Sequence, residues 1–531
     1  MKWLSKFYLI LWPVLAVTLV AIGCGEDDAE QTAEDPFRGL EIEIALPAGF
    51  ELKQAWQPIL DEWSAQTGAS CTIREYDSID VAASGPDNAA WSLLLDRDGK
   101  PIPSAKPGLI VFPTTRITLL NELNLLAPIP EQVQGEANLQ WLDLFSGLRQ
   151  SVAMTQNEPN FKKKQPVAHP ISNPTLVCYY RKDLLQAAGL QPPQTWHDYE
   201  SLIDGLPDWA NGLAAVEPWD ESYRATMFVA RAVSSAKHSA NYSLFFDIQT
   251  GEPLINLPSF VRALEQAERA VQKMPAETLH YKPVDCRREI FAGRAALAIA
   301  FETGPRNPSL PFGPDAGSQP TAVSTQGADP NTDSTRAEDI EIGVCRLPGA
   351  RQVYNCSTDE WSKPSLGDFS RTTLCGFGGL CVGVAALAND VEAQAAWNLL
   401  ATIAVENTNA AFPEATKSMC RQSQRDVAVM WLGDELTNDE RQQYLDVVTE
   451  SLNDRNLVAE LPILKRDQFQ LTLTHGISDV LASKKSPQES LDNVASKWRE
   501  IVGSNDDADQ VLNSYRHSLG LPPRISLSDG P

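Results

Sequence analysis

Hydrophobic and polar positions alternate where the folded part of the chain begins. Ile42, Ile44 and Leu46 interleave with Glu41, Glu43 and Ala45, the period of a half-buried strand. Trp56, Ile59, Leu60 and Trp63 then recur at helical spacing, and Gly68 stops the helix. Cys71 to Tyr76 reads as a second strand. A helical stretch through Leu93 to Leu95 leads to the apolar run Gly108 to Phe112, bounded by Pro107 and Pro113 and therefore a buried strand. Strand, helix, strand, helix and strand predict a parallel sheet.

The pattern repeats with interruptions. Thr175 to Tyr180 is a strand-like apolar segment, Arg181 to Ala188 a short helix closed by Gly189, and Thr195 with Asp198 three residues on caps another helix. Ala295 to Phe301, Ile340 to Leu347 and Leu380 to Ala386 are further strand candidates, and a long helix follows Asn389 through Trp397 and Leu400. Ser486-Pro487-Gln488-Glu489 opens a helix whose Leu491, Val494, Trp498 and Ile501 share one face. Trp56, Trp63 and Trp498 lie on amphipathic faces and are expected in the core. Between Thr303 and Glu338 large apolar residues are nearly absent, as in a long surface excursion, and the tail after Gly503 is polar and expected to be loosely held.

Composition narrows the function classes. At 531 residues the chain exceeds a single small core, and 44 basic against 69 acidic residues give a net charge of −25, which repels nucleic-acid phosphates and anionic lipid headgroups. The densest basic cluster is Lys162-Lys163-Lys164, read as a solvated loop. The six histidines have no metal-ligand spacing, and Asp329, Asn331 and Asp333 open a calcium-like loop that lacks its Gly and Glu, so no metal is expected. The run Gly376 to Gly379 precedes a strand and not a helix, and neither a G-x-S-x-G elbow nor a phosphate-binding loop occurs.

The N-terminus suggests export. Lys2 and Lys6 flank the start of the apolar stretch Phe7 to Ile22, which is interrupted by Pro13 and short for a membrane span. Ala21-Ile22-Gly23-Cys24 then resembles the lipobox of bacterial lipoproteins, with Ala21 where such signals carry Leu. The resemblance implies that residues 1–23 are a signal peptide, that Cys24 is lipidated, and that the protein is held at the cell envelope on its periplasmic or extracellular face. Residues 24–39 suit a tether. The eight other cysteines permit disulfides outside the cytoplasm, and Cys345/Cys356 and Cys375/Cys381 are candidates for local staples.

Several blocks together carry a wider resemblance. His169 to Leu185, Ala188-Gly189-Leu190 and Pro192 to Tyr199 are similar to the hinge-crossing block of the extracellular solute-binding proteins of ABC importers, in the maltodextrin-type carbohydrate group. Leu109 to Phe112 with Arg116, Leu126 to Ile129, Phe291 to Ile299, Leu347-Pro348-Gly349, Gly378-Gly379-Leu380 and the Ser486 to Trp498 helix fall in that family's order, so the resemblance spans roughly residues 40 to 502. It implies an α/β, two-lobed periplasmic-binding-protein-like fold of type II, with parallel-rich sheets flanked by helices. Lobe 1 would take residues 40–168 plus 346–405, lobe 2 residues 169–345 plus 406–503, and 504–531 would be the polar tail. The hinges would lie near Ala168 to Ile171 and Gly343 to Pro348.

A sugar presents apolar ring faces and a rim of hydroxyls, so its site needs aromatic platforms among carboxylate, amide and guanidinium groups. Thr114, Thr115 and Arg116 follow the strand ending at Phe112, where open α/β sheets bind ligands, although Pro113 replaces the family's aromatic. Glu217, Trp219 and Tyr223 precede or open the next helix. Phe301 and Glu302 end a strand where relatives place a stacking aromatic. Phe469 falls near a C-terminal aromatic of the family, and Tyr354 and Trp361 follow the second hinge. Trp219, Tyr223 and Phe301 serve equally well as lobe core, and Arg116 as a structural ion pair; Leu380 removes a stacking position that relatives have.

The reading is a lipid-anchored, monomeric, extracytoplasmic protein that captures a carbohydrate or polyol between its lobes and delivers it to ABC permease subunits, without cofactor, nucleic acid or catalysis. An envelope-anchored glycoside hydrolase or lyase, and a module that recruits a partner protein through the 303–338 excursion, are the alternatives.

Overall fold

The computed structural model describes residues 37–47, 52–76, 107–135, 139–154, 164–301, 336–337, 340–376, 378–386, 390–406, 418–432, 436–504 and 506–524. The signal segment with Cys24, most of the tether and of the excursion, the Leu93 to Leu95 stretch, the calcium-like loop and Glu302 lie outside these residues. Among the described residues no helix is long and apolar enough to cross a membrane.

Along the first half run β1 (Glu41–Pro47), α1 (Leu52–Thr67), β2 (Ser70–Tyr76), β3 (Pro107–Pro113), α2 (Ile117–Glu122), β4 (His169–Ser172), β5 (Val177–Arg181), β6 (Ala214–Val216), α3 (Glu221–Ala236) and α4 (Pro258–Val271). The second half adds β7 (Ala295–Ala300), β8 (Ile342–Arg346), β9 (Val353–Asn355), β10 (Glu360–Ser362), β11 (Leu374–Cys375), β12 (Leu380–Val384), α5 (Asp390–Glu406), α6 (Asn438–Leu452), β13 (Val458–Ala459), α7 (Arg466–Leu481), α8 (Pro487–Val502) and α9 (Asp506–Leu519).

Two sheets organise the chain, as the fold class requires. The first has the order β2-β1-β3-β12-β4 and the second β8-β5-β7-β6. The parallel sheet read from the N-terminal pattern is present: β1 pairs parallel with both β2 and β3. Strands entering after a lobe crossing run the other way, because a chain returning from the second lobe arrives at the opposite end of the sheet. Thus β12 is antiparallel to β3 and β4, and in the second sheet only β6/β7 is parallel.

The strand pairings also place the crossings later than the hinge-block boundaries. His169 to Ser172 is still first-sheet strand and Val177 already second-sheet strand, so the first crossing is Asn173 to Leu176. After β8 the chain stays with the second lobe through the β9/β10 hairpin, which packs on α3 and α4, and returns only between β11 and β12. β11 pairs parallel with β13, so two passages run side by side.

Trp56, Leu60 and Trp63 turn one face of α1 into the first core, and Gly68 leaves the helix at φ +72°, where a side chain is strained. The Trp63 indole donates to the Asn398 side chain at 2.7 Å, which links α1 to α5. Thr195 and Asp198 form the reciprocal cap expected of them, and the Ser486 hydroxyl accepts from the Glu489 amide at 3.2 Å. In the second core Phe246 touches Trp498, Phe469 and Tyr515, with ring centroids 5.3, 5.5 and 5.6 Å apart.

Tyr515 belongs to the tail that composition marks as loose. Its helix α9 is amphipathic and buries Val511, Leu512, Tyr515 and His517. It joins both lobes: the Tyr515 hydroxyl accepts from the Leu244 and Phe245 amides of the second, while His517 Nδ1 lies 2.9 Å from Glu122 Oε1 of the first.

All eight cysteines outside the signal region are free, so the two local staples are not formed. Cys375 sits in the β11/β13 pair whereas Cys381 lies mid-strand in the first sheet opposite Phe112. Cys345 lies opposite Cys178 across β8/β5, away from the hairpin that carries Cys356.

Candidate functional site

The end of β3 delivers Thr114, Thr115 and Arg116 to the seam between the lobes. A short 3₁₀ turn follows Pro113, whose fixed φ starts the bend. The Thr114 amide donates to the Gly379 carbonyl at 2.9 Å and its hydroxyl lies 3.2 Å from Cys381 Sγ, which pins the turn to β12. A Cβ on Gly379 would sit 3.0 Å from both the Ser172 carbonyl and the Thr114 hydroxyl, a tight fit that favours glycine at this approach.

From the second lobe, the first turn of α7 brings Asp467. Arg116 Nη1 donates to Asp467 Oδ2 at 2.6 Å, a direct bond between lobes with the guanidinium 7% and the carboxylate 30% exposed. Behind it Arg466 donates to Glu460 at 2.9 Å, and the Thr226 hydroxyl of α3 donates to the same carboxylate at 2.6 Å. The network holds two guanidinium and two carboxylate groups, so its charges compensate within a seam from which water is mostly excluded.

Tyr223 stands one helical turn before Thr226, on the same face of α3. Its ring meets Phe301, which directly follows β7, edge to face with ring centroids 6.1 Å apart. Burial, with the nearby Asp220 charge, holds its phenol well above the ordinary range. Half-buried Tyr223 and buried Phe301 therefore form an aromatic pair one helical turn along α3 from Thr226, the outer member of the ionic network. Thr115 is half-buried, and its hydroxyl oxygen is buried without a hydrogen-bond partner among the described residues.

The remaining candidates lie elsewhere. Glu217 is fully buried and accepts from Arg231 at 2.6 and 2.7 Å and from the Trp219 indole at 3.0 Å; Trp219 is equally enclosed. The Arg231 guanidinium lies 4.1 Å from the Trp196 ring centroid. This arrangement is lobe core. Phe469 is part of the aromatic cluster around Phe246 and Trp498. Tyr354 and Trp361 face each other across the β9/β10 hairpin, with Arg262 3.3 Å over the Trp361 ring and the Asn241 amide donating to the Tyr354 carbonyl.

Sequence reasoning missed Thr226, which lies on another element more than a hundred residues from Arg116, and Glu460, Arg466 and Asp467, the last of which is 351 positions away. A carboxylate in the first turn of α7, right after the lobe passage at β13, was the available signal. Among the described residues no group of three or more His, Cys, Asp or Glu is arranged to hold a metal ion.

No family model and no curated protein matches the sequence. Solved structures do match in shape. The sugar-binding protein MalE of Xanthomonas citri is 16% identical, with 87% of this chain and 97% of that one covered and a TM-score of 0.58. The cyclic α-maltosyl-1,6-maltose binding protein of Arthrobacter globiformis is 16% identical, with 87% and 99% covered and a TM-score of 0.55. An ABC transporter solute-binding protein of Agrobacterium radiobacter K84 in complex with ribitol is 16% identical, with 88% and 100% covered and a TM-score of 0.54. The chain thus has the two-lobed type II fold of these binding proteins.

Proposed function

We propose that this chain is an extracytoplasmic solute-binding protein that takes up a carbohydrate or polyol in the seam between its lobes and hands it, unaltered, to an ABC permease. A lipid on Cys24 would hold it at the envelope as a monomer. The observation that carries the reading is the bond from Arg116 to Asp467 across the lobes, in a fold whose solved members hold maltose-like sugars and ribitol.

A polyhydroxylated guest offers the same complement that the two lobes now offer each other. One hydroxyl accepts from Arg116, another donates to Asp467, and the hydroxyls of Thr114 and Thr115 extend the polar rim. An apolar face of the guest packs on the Tyr223–Phe301 pair. Because these groups come from both lobes, the guest gains its full set of contacts only when the lobes are closed, and so shifts the population toward the closed form that a permease reads. Among the described residues the two seam carboxylates, Glu460 and Asp467, are each engaged by arginine, which favours a binding role for them over an acid and base pair.

The test is a fluorescence titration of the purified protein against sugars and polyols. Saturable binding of one solute class, weakened about 10-fold or more in Tyr223→Ala, supports the reading; no response to any member of the panel refutes it.

A further inference from the structure

A cavity of about 180 Å³ lies between the lobes, apart from the seam at Arg116 and Asp467, and none of the seam residues lines it. Gln150 and Lys164 come from the first lobe, Lys237 and Tyr242 from the second, and Tyr515 and Ser518 of α9 form one wall. Its size is a little above that of the roughly 150 Å³ cavity that admits benzene, which limits an occupant to a small molecule.

The electrostatics of this cavity are unusual for so acidic a chain. Among the described residues two lysines line it, and no Asp or Glu does. Lys164 Nζ donates to the Ser518 carbonyl at 2.9 Å, and Lys237 Nζ to the carbonyls of Asn241 and Tyr242 at 3.2 and 3.3 Å. Two other lysines of the second lobe do have carboxylates: Lys465 reaches Asp507 and Lys485 reaches Asp479. An ammonium has three donors, so two from Lys164 and one from Lys237 are left without a partner among the described residues. Burial pushes Lys164 down to about 8 and Lys237 in the same direction, the response of cations that lack a counter-charge. The lining hydroxyls are already committed: that of Tyr242 donates to the Leu519 carbonyl, and that of Tyr515 accepts from two backbone amides.

We propose that this cavity is a second ligand site, which binds a small oxyanion, a phosphate or a carboxylate, between the side chains of Lys164 and Lys237. Lys164 ends the basic run that composition alone assigns to a solvated loop, and the Gln150 amide adds a neutral donor. The anion supplies the charge that both ammonium groups lack. Since the walls belong to both lobes and to α9, occupancy also favours the arrangement in which the three meet.

Calorimetric titration of the purified protein with inorganic phosphate and with acetate, against chloride at equal ionic strength, tests this. We expect one phosphate or acetate per chain at millimolar or lower concentration, with affinity reduced about 10-fold or more in Lys164→Met and in Lys237→Met and largely kept in Lys164→Arg. Phosphate should also slow acetylation of Lys164 and Lys237 in the unsubstituted protein, relative to exposed Lys484. No heat above that of chloride, affinity in both methionine variants unchanged from that of the unsubstituted protein, or acetylation of both lysines indifferent to phosphate would overturn the proposal.

Discussion

Replacing Glu217 with alanine separates a core ion pair from a ligand contact. In the folded protein the Glu217 carboxylate and Arg231 guanidinium are both 0% exposed and joined by two bonds of 2.6 and 2.7 Å. Glu217→Ala leaves the guanidinium buried with Trp196 beside it and no counter-charge, and takes the acceptor from the Trp219 indole. Removing one partner of a buried pair costs about 3–5 kcal/mol. At about 2–4 °C per kcal/mol for a unit of this size, the melting temperature should fall by roughly 6–20 °C. Urea and thermal unfolding followed by circular dichroism measure it. Glu217→Ala/Arg231→Met should recover part of the loss, because the stranded charge is gone. A loss under 1 kcal/mol in the single variant, or solute binding abolished at unchanged stability, would refute the assignment of Glu217 to the core.

Three further outcomes follow from named contacts. Arg116→Ala and Asp467→Ala should each loosen the solute-free lobes, seen as a larger radius of gyration in X-ray scattering, and a double-mutant cycle should give a coupling of about 1–3 kcal/mol; additive effects would contradict the bond between lobes. Tyr515→Ala should destabilise the second lobe by about 3–5 kcal/mol through lost packing against Phe246 and two stranded amides; a change within experimental error would mean that α9 is not docked. His169 is fully buried and accepts from Arg421 at 2.7 Å; burial and the Arg421 charge hold its pKa well below the usual 6.5. The unfolded chain therefore takes up this proton near pH 6.5 while the folded chain does not. The stability it contributes is present above that pH and is lost below it at up to about 1.4 kcal/mol per pH unit. Urea midpoints between pH 7.5 and 5 should fall less steeply in His169→Gln; parallel slopes would contradict this.

What was legible in the sequence was local. Alternation at Ile42 to Leu46, the Trp56/Trp63 face and the caps at Thr195 and Ser486 each depend on neighbours within a few residues, and each forms as expected. The order of motifs around His169 to Tyr199 identified the two-lobed fold. The seam was half legible: Arg116 could be placed by the strand before it, but its partner Asp467 lies 351 positions away, and no local pattern reports such a pairing. Trp219 and Phe469 illustrate the converse limit. An aromatic residue after a strand or in the first turn of a helix suits a sugar platform and a core equally, and only packing around Arg231 and Phe246 decides for the core. The tail misled through composition, because α9 spends its few apolar residues on one face.

The central claim is that the seam receives a small polyhydroxylated solute and returns it unchanged. Equilibrium dialysis of the purified protein against mixed maltodextrins and linear polyols, with bound and released solute identified by mass spectrometry, addresses it directly. The account expects one solute class retained at one molecule per chain, released with its mass and linkage intact, and held about 10-fold or more less tightly by Tyr223→Ala. Failure to retain any of them, or release of a cleaved or rearranged product, would contradict it.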